Sequence, residues 1–211
     1  MSPAQSAMVD TKSKAPTGPE IRLRFARLYA QRGWPVFPVH IPVRGTCSCG
    51  KPGCHNIGKH PWTAHGFTDA TTDMEQIRLW WEFDHPVSNI GIRTGQESKL
   101  VVLDIDPRHG GDESLRQLEA KYGPLAKTAT VLSGGGGRHL YFQHPGFRVP
   151  TISGKLGPGL DIRGDSGSIV APPSLHASGR RYQWGPGKNP DQVQLASLPA
   201  WLSDLLQGPQ G

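Results

Sequence analysis

The chain has 211 residues, with 23 Lys and Arg against 17 Asp and Glu and a formal net charge of +6. Hydrophobic residues make up 36% and charged residues 19%. These values exclude a charge-driven disordered chain, and no run of about 18 apolar residues is present to span a bilayer, so no membrane partner is expected. With 27 glycines and 20 prolines a helical bundle is excluded, because both residues break helices, and no Gly-x-y period marks a collagen.

The length suits one large domain or two small intertwined ones. Residues 1–18 hold almost no large apolar side chain and are expected to be a flexible tail, as are 207–211. They lack the apolar core of a signal peptide, so a cytoplasmic location is expected. A helix is predicted from Pro19 to Arg32, with Ile21, Phe25, Leu28 and Tyr29 as its apolar face and Gly33 as its stop. Residues 34–39 follow as a short edge strand, then a Gly/Cys/His/Lys loop at 43–61. Thr72 and Glu75 have the spacing of a capping box. It opens a helix whose apolar side is Met74, Ile77, Trp80 and Trp81 and which Pro86 ends.

Strands are expected at 89–92 and 100–106, a helix at 112–122, and then strands at 128–133, 138–143, 159–164, 168–173 and 180–184. Pro199 is placed in the first turn of a last helix carrying Trp201, Leu202, Leu205 and Leu206. The pattern is mixed, helix-rich first and strand-rich second.

Four features carry chemistry. Asp104 and Asp106 occupy positions i and i+2 of an apolar strand, so their carboxylates share a face, expected to point away from the core, and repel unless a cation lies between them. Hard oxygen donors suit Mg²⁺ or Mn²⁺. Asp161, in Gly-Leu-Asp-Ile-Arg-Gly-Asp, repeats the arrangement. If the two strands are neighbours, three carboxylates converge, the equipment for two-metal phosphoryl or nucleotidyl transfer. Asp165 is read as a turn residue.

Gly134 to Gly137 would let backbone N–H groups approach an anion, with Arg138 and His139 directly after; this suits a triphosphate, although no Walker A lysine follows. Cys47, Cys49 and Cys54 lie within eight residues, with His55 and His60 close behind. Clustered thiols in odd number argue against a disulfide framework and for a structural Zn²⁺ site. His60 is preferred to His55 as the fourth ligand, because ligation by adjacent residues is strained.

In the order they occur, YAQRGWPVFPV, GKHP, HGFTDATTD, NIGIRTG, LVVLDIDPRHGGDES, SGGGGRHLYF, GKLGPGLDIRGD and IVAPPSLH span residues 25–185 or so. Together they resemble the bifunctional DNA primase/polymerase (prim-pol) domain of the archaeo-eukaryotic primase superfamily. The resemblance implies an α+β fold over residues 19–206, an N-terminal α/β module packed on an RRM-like mixed sheet with the zinc-binding loop inserted. It implies that Asp104, Asp106 and Asp161 hold catalytic Mg²⁺ or Mn²⁺ and that His139 binds the incoming nucleotide, with Ser133 and Arg138 in the same motif. Lys59, Lys155, Arg163, Ser174 and His176 are further candidates for phosphate or nucleic-acid contacts. The implied partners are a DNA primer and template, nucleoside triphosphates, and a helicase or accessory helical domain on another chain. A metal-dependent nuclease or phosphoesterase, and a non-catalytic nucleic-acid-binding module, are the alternatives.

Overall fold

The computed structural model describes residues 18–207. The two expected tails fall outside them, save Gly18 and Gln207, which are helical. Helix α1 (Gly18–Gln31) leads into strands β1 (Val36–Val39), β2 (Pro42–Val43) and β3 (Thr46–Cys47). A 3-10 turn at Gly66–Asp69 precedes α2 (Met74–Arg78), which continues as a π-helical segment, Leu79–Asp84. Next come β4 (Asn89–Arg93), β5 (Leu100–Ile105), a 3-10 turn at Pro107–His109 and α3 (Gly111–Tyr122). The second half holds β6 (Thr130–Leu132), β7 (Arg138–Gln143), β8 (Ile152–Ser153), β9 (Leu160–Arg163), β10 (Ser168–Ala171), β11 (Gln183–Trp184) and β12 (Ala196–Ser197) before α4 (Ala200–Gln207). The fold is mixed α+β, and none of the described helices is long and apolar enough to cross a membrane.

Two sheets organise the molecule. The smaller is antiparallel in the order β1-β4-β10; the larger runs β11-β6-β7-β5-β9-β8, with β12 added parallel to the end of β7. Strand β5 sits near the centre of the larger sheet, and Leu100, Val101 and Val102 are all fully buried. An uninterrupted apolar run of this kind means that both faces are covered. One face carries Leu100, Val102, Val131 and Tyr141 into a core shared with α1, the Trp80–Trp81 segment and the smaller sheet. The other carries Val101, Leu103, Ile105 and Phe142 against Leu115, Leu202 and Leu206 of α3 and α4. The face bearing Asp104 is therefore also core-facing; it was expected to point away from the core.

Helix faces and ends differ from expectation where packing overrides periodicity. In α1 the buried residues are Arg22, Ala26, Tyr29 and Ala30, and Leu28 is exposed. Two alanines let the helix axis approach its neighbours closely, which rotates the stripe away from the larger apolar residues. Asp73, one residue after the expected Thr72, is the N-cap of α2, and its carboxylate accepts from the amides of Glu75 and Gln76. A carboxylate at this position also favours the positive end of the helix dipole. Met74 is exposed. The Pro199 carbonyl accepts from Leu202 and Ser203, so Pro199 precedes α4 instead of lying in its first turn. Within the expected 180–184 strand only Gln183 and Trp184 pair continuously.

Asp165 does more than turn the chain. Its carboxylate accepts from the amides of Gln96 and Val149 at 2.8 Å each and lies 3.2 Å from His144 Nε2. It thereby ties the end of β9 to the β4–β5 connection.

The pairing of Phe37 with Gly91 across β1 and β4 is a tight feature of the smaller sheet. A Cβ at Gly91 would fall inside the Phe37 ring, which is itself buried in the core. Gly91→Ala should lower stability by about 1–3 kcal/mol, the usual cost of overpacking, without changing the fold. Denaturant unfolding monitored by circular dichroism checks this.

Candidate active site and metal centre

Register in the larger sheet decides which polar side chains meet. Asp104 on β5 pairs directly with Asp161 on β9 and with His139 on β7. Paired residues on neighbouring strands project from the same face with Cβ atoms roughly 5 Å apart. Two aspartates and a histidine thus stand side by side across three strands, at a position where like charges directly opposite are unfavourable unless a cation or donor intervenes. The two aspartate-bearing strands are neighbours, and Asp104 and Asp161 are direct register partners.

Asp104 and His139 face a cleft, whereas Asp161 is not among the residues that line it. Asp104, His139 and Arg163 line a cleft of about 260 Å³ with Ser168, Ile169 and Val170 of β10, Phe37 and Val39 of β1, Tyr182, and Asn56 and Lys59 of the cysteine-rich loop. The Asp161 carboxylate accepts from Arg163 at 2.8 Å and from the Gly154 amide at 3.1 Å.

His139 is buried, with Nε2 3.5 Å from Asp104 Oδ1, and its Nδ1 has no partner among the described residues. Burial lowers its pKa below 6.5; Asp104 opposes this, and the positive charges of Lys59 and Arg163 reinforce it. The imidazole is accordingly neutral, with one N–H to donate and one nitrogen to accept. Tyr182 lies between His139 and His176, at ring-centre distances of 5.7 and 5.6 Å. Nothing in the alternation of residues 180–184 singled out Tyr182, because its place depends on the backbone bond from its amide to the Ser174 carbonyl.

A family model for the N-terminal domain of bifunctional DNA primase/polymerases (Prim-Pol) matches residues 26–201. The chain belongs to this family. Comparison with curated proteins finds no match. Prim-Pol membership brings nucleotidyl transfer and DNA and nucleotide substrates at the level of the family.

Within this Prim-Pol domain, Asp106 does not lie on β5 as expected. It follows the strand and caps the Pro107–His109 turn, accepting from the Arg108 amide and guanidinium and from His109 Nδ1 at 2.9–3.1 Å. Above all the Arg108 contact, then His109 and the Arg108 amide, pulls its pKa down to about 2. The close contact of Gly111 and Gly159 with the Asp106 backbone leaves no room for a Cβ at either position.

Arg138 is adjacent to His139 and so projects from the opposite face. It pairs with Asp112 of α3 at 2.6 Å and lines a different pocket. A joint grip by Arg138 and His139 on one ligand is therefore excluded in this arrangement by the pleat of the strand; Arg163 and Lys59 are the cations beside His139.

The glycine run closes on itself. Ser133 Oγ accepts from the Gly137 amide and the Ser133 carbonyl from the Gly136 amide, so two of the expected anion donors serve the loop. Gly134 and Gly135 are packed against His176, which leaves no space for a side chain at Gly134 and only a tight fit at Gly135. Ser174 is fully buried and its hydroxyl accepts from the Ile90 amide, a fold contact. Lys155 is exposed on the β8–β9 turn, away from the residues lining the cleft. His176 holds Ser178 through Nδ1 at 3.0 Å, and burial, with help from Lys59, Arg108 and Arg180, keeps its pKa low.

The second chemical centre is the cysteine-rich loop. Cys47, Cys49, Cys54 and His60 place one donor atom each within 4.8 Å of all the others. His60 Nε2 is 3.3 Å from Cys47 Sγ and 3.6 Å from Cys54 Sγ. Three sulfurs and one imidazole nitrogen match the donor set of a closed tetrahedral zinc site. Among the described residues it is the one group of three or more donors gathered this closely; the Asp104, Asp106 and Asp161 carboxylates are not. His40 packs at a tilt against His60 at 4.5 Å and stacks on Trp62 at 4.3 Å, and Trp62 stacks in turn on His85 at 4.5 Å.

Two outcomes are expected. Purified protein should contain about one zinc ion per chain by elemental analysis, and Cys49→Ser should lower the thermal midpoint, since metal binding in such loops contributes folding energy. Because His139 is held neutral in the folded state with its pKa below 6.5, the unfolded chain binds its proton first as the medium is acidified. Stability should fall as pH drops below about 6.5, the ordinary imidazole value, toward the lowered folded value, and His139→Gln should make that loss shallower in denaturant titrations at pH 7 and 5.

Proposed function

We propose that this chain is a template-directed nucleotidyltransferase of archaeo-eukaryotic primase type, in which residues 19–206 form the catalytic domain. The supporting observation is the row Asp161–Asp104–His139 on three adjacent strands, of which Asp104 and His139 line a cleft together with Lys59 and Arg163. A primer 3′-hydroxyl attacks the α-phosphorus of a nucleoside triphosphate; the new phosphodiester bond forms as the α–β bridging bond breaks, and pyrophosphate departs.

The hard oxygens of Asp104 and Asp161, with Asp106 just beyond the end of β5, would hold Mg²⁺ or Mn²⁺, which when bound would supply activation of the hydroxyl and charge neutralisation at the leaving group. Direct opposition of Asp104 and Asp161 supports this fit, because a divalent cation relieves their repulsion. Arg163 and Arg108 orient the Asp161 and Asp106 carboxylates. Neutral His139 donates to a phosphate oxygen, and Lys59 and Arg163 balance the triphosphate charge. Catalysis on this reading comes from positioning and electrostatics, with no covalent enzyme intermediate.

The test is incubation of the full chain with primed and unprimed DNA templates, with ribo- or deoxynucleoside triphosphates, in Mg²⁺ or Mn²⁺. Extension that disappears in Asp104→Ala and Asp161→Ala is expected. Degradation of the DNA in place of extension would establish the nuclease reading, and binding without turnover the non-catalytic one. His139→Ala should weaken nucleotide binding roughly ten- to a hundredfold, the loss of one charge-assisted hydrogen bond, while Mn²⁺ binding to the nucleotide-free protein persists. Nucleotide titration and Mn²⁺ titration on the same variant check both halves.

A further inference from the structure

The cysteine-rich loop does not stand apart from the cleft. Asn56 and Lys59 belong to it, and both line the cleft opposite Asp104 and His139. Lys59 directly precedes His60, one of the four gathered donors, and Asn56 follows Cys54 by two residues. The segment carrying the only lysine in the cleft wall is therefore bracketed by two residues of the metal-type cluster.

The main chain around Lys59 is fastened from several sides. The Lys59 amide donates to the Asn56 carbonyl at 3.0 Å. The Gly58 carbonyl accepts from Asn89 Nδ2 at 3.2 Å; Asn89 is fully buried and also grips both the amide and the carbonyl of Leu175. Gly58 has φ +69°, and its α-carbon packs so tightly on Pro42 that a Cβ would lie 2.7 Å from the proline ring. The His60 carbonyl accepts from the His40 amide at 3.0 Å. The carbonyls of residues 58 and 60 are thus anchored to the fold, and these bonds leave the turn at 54–57 and the exposed Lys59 side chain to be positioned by other contacts.

Residues 50–53, 55 and 56 are exposed, and what draws this stretch together is the convergence of Cys47, Cys49, Cys54 and His60. Three sulfurs this close repel when ionised unless a cation joins them. A cation there fixes Cys54 against His60, and hence the short turn from Cys54 to Lys59.

We propose that the Cys47–Cys49–Cys54–His60 group and the cleft are coupled sites: a metal ion on the cysteines holds Lys59 over Asp104 and His139, where it binds the triphosphate, so that metal and nucleotide tighten each other's binding. Lys59 is the residue through which the coupling acts. This rests on the reading of the cleft as a nucleoside triphosphate site. The coupling is reciprocal by thermodynamic necessity, and a typical factor is roughly 5- to 150-fold.

The experiment uses the full chain in Mg²⁺ buffer. Affinity for a deoxynucleoside triphosphate is measured on zinc-loaded and zinc-depleted protein, for the wild type, Lys59→Met and Lys59→Arg. Depletion should weaken wild-type binding within that 5- to 150-fold range. Lys59→Met should weaken it comparably and make it insensitive to zinc, and Lys59→Arg should restore most of the affinity and its zinc dependence. In the reverse direction, the nucleotide should slow zinc transfer to a chromophoric chelator in the wild type and not in Lys59→Met. This second measurement starts from folded, zinc-loaded protein, so it decides the matter even if depletion unfolds the chain. Wild-type zinc transfer unaffected by nucleotide, or an equal zinc dependence in Lys59→Met, overturns the coupling. A zinc-loaded wild type that binds no nucleoside triphosphate overturns instead the reading of the cleft.

Discussion

The structure depends on one unfavourable juxtaposition: two aspartates placed directly opposite each other on neighbouring strands of a sheet that is buried on both sides. Asp104 and Asp161 could each have been solvated at a strand end. Instead β5 runs through the middle of the larger sheet, with Leu100, Val101 and Val102 fully buried. The apolar packing on both faces holds the register, and the register holds the two carboxylates together with His139. Burial of the strand thus supplies the rigidity with which a repulsive pair is maintained. It is the same burial that keeps His139 neutral.

Around this row the molecule spends its glycines on close approach. Gly111 and Gly159 let two segments press on the Asp106 backbone, and Gly134 and Gly135 let the loop after β6 press on His176. The loops that follow β5 and β6 and the loop that precedes β9 are thereby gathered at one rim of the sheet. Arg108 and Arg163 then fix the Asp106 and Asp161 carboxylates in that rim. The Arg108 pair is largely exposed and contributes little to stability, so its consequence is orientation more than fold energy.

The smaller sheet supplies the other wall and carries the cysteine-rich loop. The Asn89 side chain at the start of β4 joins Gly58 of that loop to Leu175 beyond β10. Two chemically different centres, one of sulfur and nitrogen and one of oxygen, therefore share a frame.

Much of this was determined by sequence alone. The alternation around Asp104 and Asp161, the spacing of Cys47, Cys49, Cys54 and His60, and the ordered set of motifs are local facts, and they carried the family and the donor sets. Strand β5 and helix α3 were legible because apolar periodicity and glycine stops act over a few residues. What only the tertiary structure decided concerns facing and register. Which side of α1 is buried depends on how closely Ala26 and Ala30 let it approach its neighbours. The separation of Arg138 from His139 follows from the pleat, but its consequence, a bond to Asp112 on the far face, needed α3 in place. The commitment of the Ser174 hydroxyl to Ile90, and the arrival of Lys59, Asn56 and Tyr182 at the cleft, rest on contacts between segments far apart in the chain. Residue types and spacings specify what chemistry is available; only the folded contacts, whose partners lie tens of residues away, specify which of those groups face one another.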